Sequence, residues 1–503
     1  MRERLMPAKT LLGIDLGTTV LKACAFDAQT GAMLGQAARQ LKVLPFPDGG
    51  REQNLDSIDR AFKGVVRELR HQLGTVWRKV DGIGLAAQGG SSIIADRATG
   101  KAQTTMILWN DGRTQAYLAR LATRTSKRFW QKHTLRDVPP AGLGRLLWLE
   151  ETRPGLFREE NIHVGAGEYL FFKLTGIWRQ DAGNAIQIGS YDAAKKQLSQ
   201  SLFNLVNVPL SFVAPLRQGH EMAPLSKKGA HILDLPEGVP VAGPYIDQEA
   251  GYLSAVGVSE RPLQCSLGTA WVGNFILPDS TTGSSPFQLV LPAPVDDGRL
   301  VVQPLLTGNV AWEWGLDRLM GLHQHKALLR AAEVFTKSLL PNEGLVALPW
   351  FTQPNPLHQP AYGGGVFFGL SAQTDRADQL RALAAGMTFE LARVFDEVKR
   401  SGVIDSVVLG GGASKGLFFQ KLIAALFAPL PVLWQSDEDL SVARGAVFAF
   451  NAKAARTKTQ RVARLEEALL AEIQRAYDLY LALFDELYKS VPAGRAFHFK
   501  RGK

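Results

Sequence analysis

Cysteine is scarce in this chain of 503 residues, which contains only Cys24 and Cys265. The two cysteines are far apart in the sequence, each in a segment of strand-like composition. This number and spacing exclude a disulfide framework and a cysteine-rich zinc cluster. We therefore expect a protein of a reducing compartment, the cytoplasm.

Long apolar runs are also missing. No stretch approaches the ~18 consecutive apolar residues that cross a bilayer. The N-terminal segment MRERLMPAKT is basic, but the apolar region of a secretory signal does not follow it. We expect neither export nor a membrane partner.

Clustered positive charge is absent, although the net charge is +10. Lysine and arginine are scattered, and only the C-terminal segments RTKTQRVARLEEALL and HFKRGK come near to a cluster. This distribution favours a solvated surface over a nucleic-acid interface, which needs basic residues on one face. The excess charge modestly favours polyanionic ligands such as nucleotides.

Strand-like and helix-like patterns alternate along the whole chain, which is typical of α/β layers. A chain of this length exceeds what one hydrophobic core usually supports, so we predict two domains. We place them at 1–250 and 251–454, followed by a basic amphipathic helical tail at 455–503. We expect the tail to dock either on the second domain or on another subunit, in which case the protein is a homodimer.

One short turn occurs twice, about half a chain apart. LLGIDLGTTVLKACAFD and LQCSLGTAWVGNF each read as strand, glycine turn and strand. Glycine lets backbone amides approach a ligand, and several amides around one concavity bind an anion. Two such turns could hold a polyphosphate from both sides, although either turn alone could be an ordinary hairpin connection. The residues that we assign to these phosphate turns are Gly17, Thr18, Thr19, Gly268 and Thr269.

A third glycine turn follows a buried strand in VVLGGGAS, with a helix after it. Three glycines at such a junction suit close packing against a ligand ring or phosphate, and the alternative is a tight packing turn. The P-loop and Rossmann fingerprints are both missing, so the common nucleotide-binding folds are excluded.

Two aspartates follow strand patterns. Asp247 ends the strand in GPYIDQEAG and could accept the proton of an alcohol during phosphoryl transfer, or it could cap the next helix. Asp15 ends the first strand and could hold Mg²⁺ near phosphates, or it could be a salt-bridged core residue. Lys22 could reach a phosphate or face solvent.

Taken together, these segments resemble the FGGY family of carbohydrate kinases, members of the actin-like ATPase superfamily. The resemblance covers about Leu11 to Ala454 and is closest in wording to xylulokinases. It rests on these segments of the sequence: GIDLGTTVLKACAFD, ILWNDGRT, QDAGNAIQIGSYD, SLGTA, GVFFGLSAQTDRADQLRALAAGMTFEL and VVLGGGASKGLFFQKLIA.

The resemblance implies two actin-like (ribonuclease H-like) domains, each a mixed β-sheet flanked by helices, with a cleft for ATP and a sugar between them. It implies that Asp247 is the general base on the sugar hydroxyl and that Asp15 is the metal-associated acid. Gly411, Gly412 and Ala413 would lie against the nucleotide, and the cofactors would be ATP and Mg²⁺.

The departures from the family lie in the predicted sugar pocket. Xylulokinases carry Gln-Met-His-Gly, and glycerol kinases Gln-Arg-Glu-Thr, where this chain has Gln-Gly-Gly-Ser at 88–91. Missing side chains would enlarge the pocket and remove hydrogen bonds, which shifts or relaxes specificity. Trp109 matches the substrate-facing tryptophan of the family, and Gln248 follows the acid as in glycerol kinases. The resemblance thus implies a sugar site of Gln88, Gly89, Gly90, Trp109, Asp247 and Gln248.

The favoured function is therefore ATP-dependent phosphorylation of a ketopentose such as D-xylulose. The alternatives are a kinase for another sugar or polyol, such as ribulose or glycerol, and a nucleotide-binding sensor whose sugar site no longer supports chemistry. A chaperone-like ATPase of the actin-like class would need a peptide-binding domain, for which the tail is too short.

Overall fold

The computed structural model describes residues 9–136, 138–268, 270–278, 281–282, 288–295, 298–305, 307–322, 331–352, 364–436, 440–487 and 500–501. They form two compact units. Unit 1 comprises the described residues of Met1–Gly257, Leu289–Leu300 and Leu440–Arg456, and unit 2 those of Val258–Gln288, Val301–Asp439 and Thr457–Lys503.

The strands are β1 Thr10–Leu16, β2 Val20–Asp27, β3 Met33–Gln40, β4 Leu44–Pro45, β5 Arg51–Gln53, β6 Val80–Ala87, β7 Ile93–Asp96, β8 Met106–Ile107, β9 Asn161–Val164, β10 Tyr191–Asp192, β11 Gln197–Leu198, β12 Met222–Pro224, β13 Pro240–Ile246, β14 Pro262–Leu267, β15 Trp271–Leu277, β16 Thr281–Thr282, β17 Leu289–Pro292, β18 Arg299–Pro304, β19 Val346–Leu348, β20 Val366–Phe368, β21 Ser406–Gly410, β22 Val432–Gln435, β23 Thr459–Arg461 and β24 Lys500–Arg501.

The α-helices are α1 Leu55–Leu73, α2 Gln115–Arg124, α3 Lys127–Thr134, α4 Ala141–Thr152, α5 Ala166–Thr175, α6 Ala182–Ile188, α7 Gln200–Phe203, α8 Lys227–Leu233, α9 Asp247–Ala255, α10 Asn309–Arg318, α11 Arg376–Arg400, α12 Leu417–Phe427, α13 Ser441–Ala446, α14 Ala452–Ala455 and α15 Glu467–Leu487.

The sheet of unit 1 has the strand order β12-β13-β6-β1-β2-β3. Strand β1 is antiparallel to β2 and parallel to β6, and β6 is in turn parallel to β13. At the carboxyl edge of the sheet, Leu16 lies opposite Ala87, and Ala87 lies opposite Ile246. The residues that follow these three strands therefore emerge side by side, at the edge where open α/β sheets bind ligands.

The sheet of unit 2 repeats this arrangement. Its strands lie in the order β18-β15-β14-β21-β22-β23, with β14 antiparallel to β15 and parallel to β21, and β21 parallel to β22. The two repeated glycine turns thus connect equivalent hairpins. They are not identical, because Leu16 pairs with Leu21 whereas Leu267 pairs with Trp271, so the first loop is one residue longer.

Helix α1 shows how local sequence sets the elements around these sheets. Asn54 caps it by accepting a hydrogen bond from the Ser57 amide at 3.0 Å. The apolar residues that recur at helical spacing are buried, and this long amphipathic helix begins and ends where the periodicity predicts. Helices α2 and α3 follow each other closely, and they are separate because Ser126 caps α3 by accepting a hydrogen bond from the Phe129 amide.

The division of the chain near residue 250 stays a prediction, and unit 1 also includes two segments from the second half of the chain. One is Leu440–Arg456, which packs in unit 1. Its buried Arg444 donates to the Gly31 carbonyl at 2.8 Å, and the guanidinium lies over the Phe26 ring. The small residues of α13 allow this close approach to β1 and β6. The sequence did not predict that this segment belongs to unit 1, because a helix of six residues has too little periodicity to reveal which sheet it covers.

The tail helix α15 packs within unit 2. Docking on the second domain is one of the two alternatives that the sequence analysis left open, and docking on another subunit is the other. Tyr480 donates to Glu390 on α11 at 2.9 Å, and Arg393 donates to the same carboxylate at 2.7 Å. The Arg393 guanidinium lies 3.9 Å from the centre of the Phe484 ring. Cys24 and Cys265 form no disulfide, and among the described helices none combines the length and the apolar character that crossing a membrane requires.

The docking of the tail predicts its contribution to stability. We expect Phe484→Ala to lower the free energy of unfolding by about 3–5 kcal/mol, because Phe484 is 3% exposed and supports a buried ion pair. The control is Leu487→Ala in the same helix, where the side chain is 48% exposed and little change is expected. Urea denaturation measures both variants, and equal stabilities would show that the helix does not dock through this face.

Candidate active site

The carboxyl ends of three parallel strands bring together the predicted acids and the predicted sugar-binding turn. Asp15 lies one residue before the end of β1, Gln88 follows β6, and Asp247 follows β13. The Gln88 amide donates to the Leu16 carbonyl at 3.0 Å, which continues the ladder beyond β6. Asp15, Gln88 and Asp247 therefore share one edge of the unit 1 sheet.

The two carboxylates are strongly desolvated. Burial raises the pKa of Asp15 to about 7, with a further rise from the nearby charge of Asp247. Lys22 lies opposite Asp15 on β2 and opposes this rise. Burial also raises the pKa of Asp247 to about 6. Perturbed acids of this kind cluster at functional sites.

Asp247 does not cap the helix that follows it. It is the first residue of α9, and the helix cap is Ile246, which makes no side-chain capping bond. The Asp247 carboxylate accepts a hydrogen bond from the Gln248 amide at 2.8 Å, which holds the side chain at the helix start. The capping alternative is therefore wrong, and the positive end of the helix dipole favours the ionised carboxylate.

A hydrogen-bond network joins the first glycine turn to the sugar-binding turn. Thr18 Oγ1 donates to Gln88 Oε1 at 2.8 Å, and Trp109 Nε1 donates to Thr18 Oγ1 at 3.2 Å. Gln53 Nε2 donates to the Thr18 carbonyl at 2.8 Å. The Thr18 hydroxyl proton is thus directed at Gln88 rather than at a phosphate. Trp109 is 50% exposed, which leaves much of its indole accessible.

The two glycines of the sugar-binding turn do not leave an empty space. A Cβ at Gly89 would overlap Nε2 of Gln187, a residue of α6. A Cβ at Gly90 would lie 2.6 Å from Gln187 Oε1, and the φ of Gly90 is +76°. The predicted enlargement of the pocket is therefore wrong at this position, because the Gln187 carboxamide fills the volume that larger side chains at 89 and 90 would need.

Buried polar side chains fix the backbone of this turn. Asn184 Oδ1 accepts a hydrogen bond from the Gly90 amide at 2.9 Å, and its Nδ2 donates to Glu168 at 3.0 Å. Arg145, which is fully buried, donates to the Gly90 carbonyl at 2.5 Å and to Ser92 Oγ at 2.8 Å. The amide and the carbonyl of Gly90 are thus both hydrogen-bonded to buried side chains.

Unit 2 brings its own predicted residues together. A Cβ at Gly411 would lie 2.7 Å from the backbone of Leu267, so the third glycine turn touches the second. Asn309, at the start of α10, donates from its amide to the Gly268 carbonyl at 3.2 Å and from its side chain to the Leu267 carbonyl at 3.3 Å.

Two glycines of these turns are not tightly packed. Beside Gly268 and Gly412, the nearest described atoms to an added Cβ lie at 3.8 and 3.7 Å. Ala413 belongs to a short 3-10 helix, Gly412–Lys415, that follows the turn. Thr269 lies outside the described residues. The glycine backbone at these two positions, with no side chain, suits the approach of a flat or anionic ligand.

Several residues of the site had not been predicted. They share the role of supporting a predicted residue from a distant part of the sequence: Gln53, Arg145, Asn184, Gln187 and Asn309. Asn184 and Gln187 fall within the QDAGNAIQIGSYD segment, and that segment was the one available signal. The others carry no local pattern, since their partners lie far away along the chain.

The donor set suits a cation that is shared with phosphates. Asp15 Oδ1 is buried and makes no hydrogen bond within the described ranges. The same ranges contain no cluster of three or more His, Cys, Asp or Glu that could hold a metal. Mg²⁺ is commonly bound by one or two carboxylates together with substrate phosphates. Asp15 fits such a site.

Family models match both halves of the chain. Residues 10–254 match the N-terminal domain of the FGGY family of carbohydrate kinases, and residues 263–454 match its C-terminal domain. A xylulose kinase of Escherichia coli K12 is 25% identical over 95% of this chain and 99% of its own length. A glycerol kinase of Alkalilimnicola ehrlichii is 26% identical over 88% of this chain and 90% of its own.

A solved structure has the same fold. The crystal structure of xylulose kinase from Rhodospirillum rubrum superposes with a TM-score of 0.84, covering 96% of this chain and 100% of that one at 21% identity. The two-domain fold of mixed sheets flanked by helices, which the sequence predicted, is thereby confirmed.

The buried carboxylate of Asp15 predicts a pH-dependent stability. Folding raises its pKa from 3.8 to about 7, so the folded chain retains a proton that the unfolded chain releases, and Asp15 destabilises the fold increasingly as the pH rises through this interval. We expect Asp15→Asn to stabilise the protein without nucleotide or divalent cation at about pH 8 by an amount on the order of 1–4 kcal/mol. The gain should shrink towards pH 5.

Thermal melts at both pH values measure this effect, with the exposed Glu237→Gln as the matched control. A gain in melting temperature that is the same at both pH values would contradict the desolvation argument.

Proposed function

The chain belongs to the FGGY family of carbohydrate kinases, and on this premise we propose that it transfers the γ-phosphate of ATP to a hydroxyl of a ketopentose, with D-xylulose favoured. The observation that carries the proposal is the desolvated Asp247 carboxylate directly after β13, at the sheet edge that also holds Asp15 and the Gln88 turn. A desolvated carboxylate with a pKa of about 6 is ionised at neutral pH and still basic enough to accept a proton.

In the proposed reaction, Asp247 accepts the proton of the sugar hydroxyl. The hydroxyl oxygen forms a bond to the γ-phosphorus, and the bond from that phosphorus to the oxygen bridging the β- and γ-phosphates breaks, so that ADP leaves. The helix start at Asp247 keeps the carboxylate in place through the Gln248 amide. The exposed indole of Trp109, fixed through Thr18, offers a surface for the carbon face of the sugar.

We assign the phosphates of ATP to the glycine turns. In unit 1 these are Gly17, Thr18 and Thr19, with Lys22 beside Asp15. In unit 2 these are Gly268 and Thr269, with Gly411, Gly412 and Ala413 against the nucleoside. Asp15 would hold Mg²⁺, and the ion would offset negative charge on the phosphates when bound.

The choice of a ketopentose rests on the relatives. The relative from Escherichia coli named above is a xylulose kinase and aligns over nearly the whole length of both chains. A polyol such as glycerol is the second candidate, since Gln248 follows the acid as in glycerol kinases and a glycerol kinase is equally similar in sequence. Gln88, Gly89 and Gly90 are the further residues that we assign to the acceptor.

A sensor without kinase activity would retain the fold with an eroded acceptor site. The feature that favours such a sensor is the pair of glycines at 89 and 90, where the resemblance implies larger side chains. The carboxamide of Gln187 packs against both of them, and Asn184 and Arg145 hold the turn in place. A site maintained by so many buried contacts favours the kinase over the sensor.

A screen of acceptors with a mutant control tests the proposal. ADP release is measured with pentuloses, hexuloses and polyols, and we expect the largest kcat/KM with a ketopentose. Asp247→Ala should lower kcat by about 10²–10⁴-fold, because general base catalysis is worth that much. ATP binding, followed by titration calorimetry, should persist in the variant, which shows that it is folded. Full sugar-dependent turnover by Asp247→Ala would refute the assignment of the base.

The pH profile provides a separate check on Asp247. Since the base must be ionised and burial raises its pKa to about 6, kcat/KM should fall about tenfold per pH unit below that value. Asp15, whose pKa is raised to about 7, would add a second step if its ionised form binds the cation. A rate that is constant from pH 5 to pH 8, with the protein folded throughout, would contradict this role.

A further inference from the structure

The carboxamide of Gln187 and the turn at 89–90 form one steric unit. Any side chain at Gly89 would overlap Gln187 Nε2, and a Cβ at Gly90 would come within 2.6 Å of Gln187 Oε1. Gly90 also has a φ of +76°, which favours glycine independently of the available space. With Gln187 in this position, its carboxamide occupies the place that side chains of this turn would take, and a side chain at Gly89 would have to displace it.

This unit lies close to the end of β13, directly before the residue whose carboxylate we assign as the base. The added Cβ at Gly89 would also come within 3.2 Å of Ile246 Cγ2, and Ile246 precedes Asp247. On its other side Gly89 follows Gln88, which is bonded to Thr18. The Gln187 carboxamide thus lies beside the Gln88 turn, on the side of Gly89 where Ile246 at the end of β13 is also close. Its side chain is only partly buried.

The hydrogen-bonding capacity of Gln187 is largely unused by the protein. Within the described ranges its side chain makes one hydrogen bond, from Nε2 to the Gly183 carbonyl at 3.2 Å. A carboxamide has two donor hydrogens and two acceptor lone pairs on its oxygen. One donor and the oxygen remain, and this pair matches a hydroxyl group, which both donates and accepts.

We propose that Gln187 is the residue that selects the acceptor, by hydrogen bonding a sugar hydroxyl from α6 in place of side chains at positions 89 and 90. The inference rests on the proposed function, because it concerns the acceptor of the same reaction. A carboxamide, which can both donate and accept, suits the hydroxyls of a polyhydroxylated acceptor such as a ketose or polyol.

Substitutions at Gln187 test this role. Gln187→Leu keeps the approximate volume and removes the hydrogen bonds, and Gln187→Ala removes both. We expect either change to raise KM for the best acceptor about tenfold, the value of one lost hydrogen bond, with KM for ATP unchanged. Gln187→Ala should also change the order of preference among acceptors, since it opens space beside Gly89. Gln115→Ala, at an exposed position of α2, is the matched control and should leave all constants unchanged.

A compensating pair tests the steric part. Gly89→Ala should displace the Gln187 carboxamide and raise KM for the acceptor. Adding Gln187→Ala should remove the overlap, so the double variant should behave like Gln187→Ala alone rather than show the product of both effects. Effects that multiply would overturn the claim that the two positions form one unit.

The outcomes separate this inference from the proposed function. If the wild type turns over an acceptor and both Gln187 variants keep its KM and acceptor preference, the inference fails and the kinase assignment stands. If the wild type shows neither turnover nor an acceptor-dependent rise in melting temperature across the panel, the proposed function fails and the inference fails with it.

Discussion

The alignment of three parallel strand ends is the constraint on which the rest of the candidate site depends. Because β1, β6 and β13 run in the same direction and end in register, Asp15, Gln88 and Asp247 emerge at one edge of the unit 1 sheet. Their sequence positions are far apart, and only parallel pairing brings them together. A shift of one residue in either pairing would turn the acids or the glutamine to the other face of the sheet.

The electrostatics of the site follow from this placement. Two carboxylates at the edge of a buried sheet lose solvation, and their pKa values rise to about 7 for Asp15 and about 6 for Asp247. Ionising these desolvated acids costs stability, and the cost grows as the pH rises through their raised pKa values. In the proposed site this cost has a function. A desolvated Asp15 would bind a cation more strongly, and a desolvated Asp247 would bind the proton of an alcohol more strongly.

Much of the fold could be predicted from the sequence, because glycine turns, helix periodicity and strand ends are each visible in a few consecutive residues. The glycine turns, α1 and the acids near strand ends each depend on a few consecutive residues. Asp15 lies in β1 and Gly17 follows it as predicted, whereas Asp247 is one residue past the strand that was predicted to end on it. The supports of the site could not be found in this way. Arg145, for example, lies 55 residues from the Gly90 carbonyl that it binds.

Missing side chains were harder to interpret than the motifs that the sequence contains. Two consecutive glycines had suggested an enlarged pocket, because a sequence shows that a side chain is missing but not what fills its place. The carboxamide of Gln187 comes from α6, almost 100 residues further along the chain. The packing of Leu440–Arg456 in unit 1 was also not visible in the sequence, since it depends on a contact between small residues and a sheet whose strands are far away along the chain.

The most direct measurement of the central claim is a crystal structure of the protein with a non-hydrolysable ATP analogue and a pentulose. The account predicts the sugar at the carboxyl edge of the β1–β6–β13 sheet, with one hydroxyl within about 3 Å of the Asp247 carboxylate and a carbon face on Trp109. A sugar bound at another place, with no hydroxyl near Asp247, would contradict it.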